Sequence, residues 1–308
     1  MTTFRTDHAV ARRADAAAAG QLPELFPEVR LPRGLAGLIR RHPTMIVGGF
    51  LLLAMVLIAL FAPGLATRDP AAVAPILRKQ DPSAQFWFGT DMLGRDVYSR
   101  VLFGARVSLI VGFSVALLAC GIGLAVGLVA GYVRWADNVL MRIMDSMMAV
   151  PPILLAIALM ALTRASIENV ILAITVTEIP RVSRVVRGAV LAIREQPYVE
   201  AAIACGTRTP TIIVRHILPN VVGPLTVQAT FICASAILIE AALSFLGAGT
   251  PSSIPSWGNI IAEGRGIWQV KPHLVLFPAL FLCVTVLAMN LVGDGMRDLL
   301  DPRMGTKA

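Results

Sequence analysis

The chain has 308 residues, 56% of them hydrophobic and only 15% charged, with a mean hydropathy of +0.73. That composition excludes an ordinary soluble domain and predicts an all-α, polytopic membrane protein. A formal charge of +8 could suggest nucleic acid, but the arginines flank the apolar runs instead of forming one patch, which is the pattern of membrane topology.

The first segment, 1–43, reads as a cytoplasmic tail. Met1 to Arg41 carries seven arginines and no early apolar core, so no signal peptide is expected, and the Ala- and Arg-rich beginning up to about Gln21 has the composition of disorder. A membrane domain is expected over 44–296. Its first span, 44–62, is nineteen residues without a charge, and at 1.5 Å per residue such a helix covers roughly 30 Å of hydrocarbon. Pro63 and Gly64 should end it. The outer loop 63–106 that follows is rich in Pro, Asp and Gln and long enough to form an interaction surface or lid. Near its end Val97, Val101, Leu102 and Ala105 share one helical face, which predicts a stretch lying along the interface. Asp91 and Asp96 are expected to cap helices and hold the loop, with ligand contact as the alternative.

Span two, 107–133, contains glycines at 112, 121, 123, 127 and 131, so it should pack closely on a neighbour. Span three, 139–162, should be kinked at Pro151-Pro152, with Arg142 and Asp145 paired locally near its start. Span four, 167–186, places Glu178 near the bilayer centre, where an ionisable group is a functional candidate; a structural pair with Arg181 is the competing reading. Span five, 220–247, carries Glu240 near the outer face, where it could meet the pathway or a partner. An outer loop, 248–273, leads to span six, 274–293, and a cytoplasmic tail, 297–308. With both termini inside, eighteen Lys and Arg fall in cytoplasmic segments against eight outside, which orients the six spans.

Four cysteines, at 120, 205, 233 and 283, form no C-x-x-C pair, and four histidines, at 8, 42, 216 and 273, lack zinc spacing. No metal site and no catalytic residue is expected.

The loop 187–219 is the long polar connection between two membrane-length runs. Pro197 suits a first helical position and Gly206 a left-handed helix end, so a short helix is expected from Pro197 to Cys205. Thr209 should cap a second one beginning at Pro210 and ending near His216. Glu200 lies in the first turn, and Ala201 and Ala202 present a surface with almost no side chain. A DNA-reading helix-turn-helix is excluded by location, because both ends are tethered at a bilayer.

Glu200-Ala201-Ala202, Gly206 and Leu218-Pro219 resemble the pattern E-A-A, three residues, G, nine residues, I-x-L-P, which marks permease subunits of ABC importers. His216 stands at the isoleucine position. The runs FGTDMLGRDVYSRVLFGARVSL (88–109) and IEAALSFLGAGTPSSIPSWGNIIAEGR (239–265) are similar to the dipeptide, oligopeptide and nickel branch, and to the second permease of the pair. The resemblance implies a type I importer fold with a cytoplasmic coupling helix-turn-helix, in which Glu200, Ala201, Ala202, Gly206, Leu218 and Pro219 contact an ATPase. It implies a bacterial inner-membrane location and three kinds of partner: a second homologous permease forming a heterodimer, two ATPase subunits or one fused ATPase, and an extracytoplasmic binding protein. Peptide is the first choice of cargo, with nickel chelates, glutathione and opines as alternatives.

The chain has no G-x-x-x-x-G-K-[ST], and its only lysines are Lys79, Lys271 and Lys307, so nothing here can cradle ATP phosphates. The chain is therefore expected not to be an enzyme and to bind no cofactor, with ATP and Mg on partner subunits. Closure of an ATPase dimer would move the spans flanking the loop, Glu178 and Glu240 being the pathway candidates. A secondary transporter would need more intramembrane acids, and a membrane scaffold would tolerate any change at Gly206.

Overall fold

The computed structural model describes residues 43–300; the expected cytoplasmic tail up to residue 42, with its disordered beginning up to about Gln21, and the last eight residues lie outside the described residues. Helices α1 (Pro43–Leu65), α2 (Val97–Tyr132), α3 (Arg134–Met148), α4 (Pro152–Ala161) and α5 (Ile167–Arg194) are followed by the short α6 (Pro197–Ala204) and α7 (Thr209–Ile212). A π-helical turn, Ile213–Ile217, then leads into α8 (Leu218–Phe245), and α9 (Trp257–Gly264) and α10 (His273–Leu300) complete the chain. No strand occurs among the described residues, only an isolated bridge between Thr90 and Asp96.

Glycine sets the closest approach in the bundle. A Cβ built on Gly123, Gly127 or Gly131 of α2 would lie 2.5, 2.6 or 2.6 Å from the Cβ of Val182, Val186 or Val190 of α5. Both series advance by four residues, so the two helices run in the same direction with one glycine–valine contact per turn. On α1 and α10, Gly48 meets Leu291 in the same way, and Gly112 of α2 receives Ile237 of α8.

The helix α2 begins ten residues before the expected span. Asp96 caps it by accepting from the Ser99 N–H at 3.0 Å, and Val97, Val101 and Ala105 are fully buried. That face therefore does not lie along the interface: the Trp257 indole, donating to the Val101 carbonyl at 3.0 Å, covers it. At its far end α10 continues to Leu300, so residues 297–300 extend the last helix instead of beginning a tail.

The expected kink in the third span is a full break. The helices α3 and α4 meet at 88°. Pro151, preceding another proline, is excluded from the helical region and sits at φ −53°, ψ 132°, while Pro152 lacks the N–H that would continue the ladder. Asp145 does not pair with Arg142; its carboxylate takes Arg184 of α5 at 2.6 Å. One turn further along α5, Arg187 donates to Asp137 at 2.7 Å. A cleft of about 440 Å³ lined by Asp137, Met141, Asp145 and Arg187 opens between these pairs.

Among the described residues, four helices are long and apolar enough to cross a membrane, counting α7 through α8 as one, and the bent pair α3–α4 is a fifth candidate. The 28-residue α5 carries Glu168, Glu178, Arg181, Arg184, Arg187 and Arg194, too many charges to qualify on composition.

Candidate functional site

The connection between α5 and α8 projects from the bundle as a short, well-braced elbow. Pro197 opens α6 where its missing N–H has no partner to lose, and Gly206 closes it at φ +75°. The Gly206 N–H reaches the Ile203 carbonyl at 2.9 Å and the Thr207 N–H the Ala202 carbonyl at 3.1 Å, so the helix end is satisfied by backbone. Thr209 does not cap the second helix; Arg208 occupies that position without a side-chain bond, and Thr209 is already helical.

The second short helix is not separate either. It passes through the π turn directly into α8. Pro219 explains the turn: its ring would clash with the Arg215 carbonyl four residues back, and widening the ladder so that the Leu218 N–H reaches the Ile213 carbonyl relieves the conflict.

Burial divides the elbow into two sides. Val199, Ile212 and Ile217 are buried in the bundle. Glu200, Ala201, Gly206 and Pro219 are exposed, Ala202 and Leu218 half-buried, and Tyr198, Ile203 and Val214 turn apolar surface outward at 46%, 48% and 62% exposure. The residues singled out from sequence thus share one presented element, and the exposed apolar trio beside them was not foreseen.

The two membrane carboxylates lie elsewhere, and neither is open. Glu178 is 1% exposed, with Ser235 of α8 donating to it at 3.1 Å and Arg181 Nη1 at 3.2 Å from its Oε2. Glu240 is fully buried, held by Ser244 at 2.9 Å and by Ser108 of α2 at 3.4 Å. Each is enclosed by helix packing within this chain. The exposed member of the first pair is Arg181, with 46% of its side chain accessible. Sequence spacing indicated the pair but not which partner faces outward.

At the other end of the molecule Asp91 joins Arg95 and Arg100 at 2.6 Å each, and Glu263 of α9 joins Arg95 at 2.6 Å and Arg100 at 3.1 Å. Arg100 is 1% exposed. Asp91 also accepts from the Leu93 and Arg95 N–H groups at 2.8 and 2.9 Å, so it holds the loop as expected. The two segments 88–109 and 239–265 therefore meet in one ion cluster, supported by Trp257 against Gly104. Outside it, Lys271 bonds Asp81 and lowers that carboxyl's pKa, a second tie between the same loops.

A strand-free bundle of membrane-length helices, with a braced elbow presented between two of them, is the architecture of a type I ABC importer permease. The chain belongs to the family described as binding-protein-dependent transport system inner membrane component, whose model matches residues 123–306, and the N-terminal TM domain of oligopeptide transport permease C matches residues 39–89. It is similar to a probable peptide ABC transporter permease protein of Sinorhizobium fredii, 52% identical over 264 residues covering 86% of this chain and 90% of that one. A dipeptide transport system permease protein of Alkalihalophilus pseudofirmus is 43% identical over 267 residues, covering 86% and 88%. A glutathione transport system permease protein of Pectobacterium atrosepticum is 40% identical over 268 residues, covering 86% and 89%. Among solved structures, the inward-facing methionine ABC transporter MetNI shares the fold at a TM-score of 0.54 and 21% identity, over 65% of this chain and 96% of that one. The chain is a membrane-embedded permease subunit of an ABC importer.

Proposed function

We propose that this permease carries peptides across the bacterial cytoplasmic membrane, pairing with a second homologous permease and receiving cargo from an extracytoplasmic binding protein. Relatives named for peptide, dipeptide and glutathione transport support that cargo class, glutathione being itself a tripeptide. ATP and Mg reside on separate or fused ATPase subunits, since the sequence offers no phosphate-binding loop. Six spans, with both termini inside, fit the charge distribution. The shared direction of α2 and α5 supports counting the bent pair α3–α4 as the crossing between them, because two parallel helices need a return.

The observation that carries the coupling role is the two-sided elbow. Its underside, Val199, Ile212 and Ile217, is locked into the bundle, so force on the exposed side is passed to α5 and α8 without being absorbed in the loop. Ala201 and Ala202 allow close approach beside the exposed Glu200, and Tyr198, Ile203 and Val214 supply apolar area for an ATPase groove. The π turn at Ile213–Ile217 joins α7 to α8 without a break, and Gly206 with Leu218-Pro219 shapes the junction. In the membrane the pathway runs beside α5 and α8, with Glu178 acting from behind Arg181 and Glu240 holding α8 to α2.

Glu200→Arg places a long cation on the contact surface, and the ATPase subunits recovered with the tagged permease should fall about tenfold or more, a centre-of-interface effect. The variant should still insert in the membrane at normal yield. Recovery of the ATPases at the wild-type level would defeat the docking assignment.

A further inference from the structure

The position of Arg181 in the bilayer follows from helix register. Val190 of α5 is level with Gly131, the last glycine of α2 before Tyr132 ends that helix and Arg134 supplies the next charge. Arg181 lies nine residues earlier on α5, about 13 Å along the axis and close to the middle of a hydrocarbon layer about 30 Å thick. Arginines at such depth usually extend toward the nearer membrane edge. Arg181 does the reverse: its guanidinium turns back to Glu178, one turn further from that edge. A cation fixed at the midplane with 46% of its side chain open to the surroundings does not face lipid.

Its neighbours are spoken for. Arg184 and Arg187 reach Asp145 and Asp137 on α3, a different helix. Arg181 alone has its acid behind it on α5, buried at 1% exposure and also bonded by Ser235 of α8. The 3.2 Å approach of Arg181 to the Glu178 Oε2 lacks hydrogen-bond alignment, so the acid balances the charge without using the N–H fork. An oriented fork with its charge partly balanced suits a group that must bind a carboxylate and then release it.

We propose that Arg181, positioned by Glu178, forms a transient binding site for the C-terminal carboxylate of the peptide as it crosses. This rests on the peptide reading given above. The site bridges α5 and α8, the two helices joined by the elbow, so movement of the elbow alters the Ser235–Glu178–Arg181 arrangement and with it the hold on the cargo.

The test uses the complete transporter, with its partner permease, ATPases and binding protein, in proteoliposomes supplied with trialanine or its C-terminal amide. The uptake of Arg181→Gln is divided by that of wild type for each peptide, which cancels any preference of the binding protein. That ratio should be about tenfold lower for the free acid than for the amide, the scale of one lost charge-assisted bond. Arg181→Lys, which keeps the charge, should restore much of the difference. Equal ratios for the two peptides would overturn the site. Loss of the partner permease from Arg181→Gln but not from Arg181→Lys would assign the cation to a subunit contact and overturn it too. If the wild-type transporter moves neither peptide, the peptide reading itself fails and this inference with it.

Discussion

Gly206 sits at φ +75°, and a Cβ there would meet nothing within 4 Å. The glycine is required by backbone conformation, not by space, which separates it from the glycines of α2. Gly206→Ala should therefore cost about 1 kcal/mol by left-handed strain alone, while Gly206→Asn, a residue that accepts this conformation, should cost less. Thermal unfolding of the purified permease measures both, and equal midpoints for Ala and glycine would remove the account. Pro219 acts in the opposite manner, forcing a distortion that the sequence did not announce: the second short helix was expected to end near His216, and a widened turn joins it to α8 instead. At Glu178 the sequence singled out an acid that the structure finds buried, at 1% exposure. It paired that acid with Arg181 but was silent on which of the two faces outward, because exposure depends on the face α5 turns to α8, which is a property of packing.

At the level of elements, the α2–α5 contact is built on three successive glycines, one per turn. Gly131→Ala would bring a Cβ to 2.6 Å from that of Val190, and this overpacking should cost about 1–3 kcal/mol. Moving the glycine to the other helix, as Gly131→Ala with Val190→Gly, should recover most of the loss, since the next nearest atom, the Arg187 carbonyl oxygen, is 3.3 Å away. The unfolding midpoints of the single and double variants decide this, and a double variant no better than the single would sink the register. The glycine spacing at 123, 127 and 131 was visible in the sequence as a demand for a close neighbour. The identity of that neighbour, a charged helix whose valines lie 59 residues further on, was not. The same applies to α3, whose Asp145 seemed placed for Arg142 three residues before it and instead reaches across to Arg184.

For the molecule as a whole, the ion cluster of Asp91, Arg95, Arg100 and Glu263 binds the loop before α2 to the loop before α10. Two acids and two arginines balance, so removing one charge leaves a buried excess. Glu263→Gln should destabilise by about 2–3 kcal/mol, somewhat less than a fully enclosed pair because Glu263 is 23% exposed. Adding Arg95→Gln should cost less than the sum of the two single losses, and strict additivity in a double-variant unfolding cycle would show that the cluster does not act as a unit. Composition, uncharged runs and turn residues by themselves determined that this chain is a helical membrane protein and where most of its helices stop, because these depend on the fit of each segment to hydrocarbon and on local backbone chemistry. The start and end of α6 were legible for the same reason: Pro197 and Gly206 act within a turn of where they stand. Only the tertiary structure decided that the two outer motifs form one cluster, that α5 can carry six charges beside α2, and that Arg181 rather than Glu178 meets the open side. Each of these is set by which surfaces distant helices present to one another, and that pairing is absent from any single stretch of sequence.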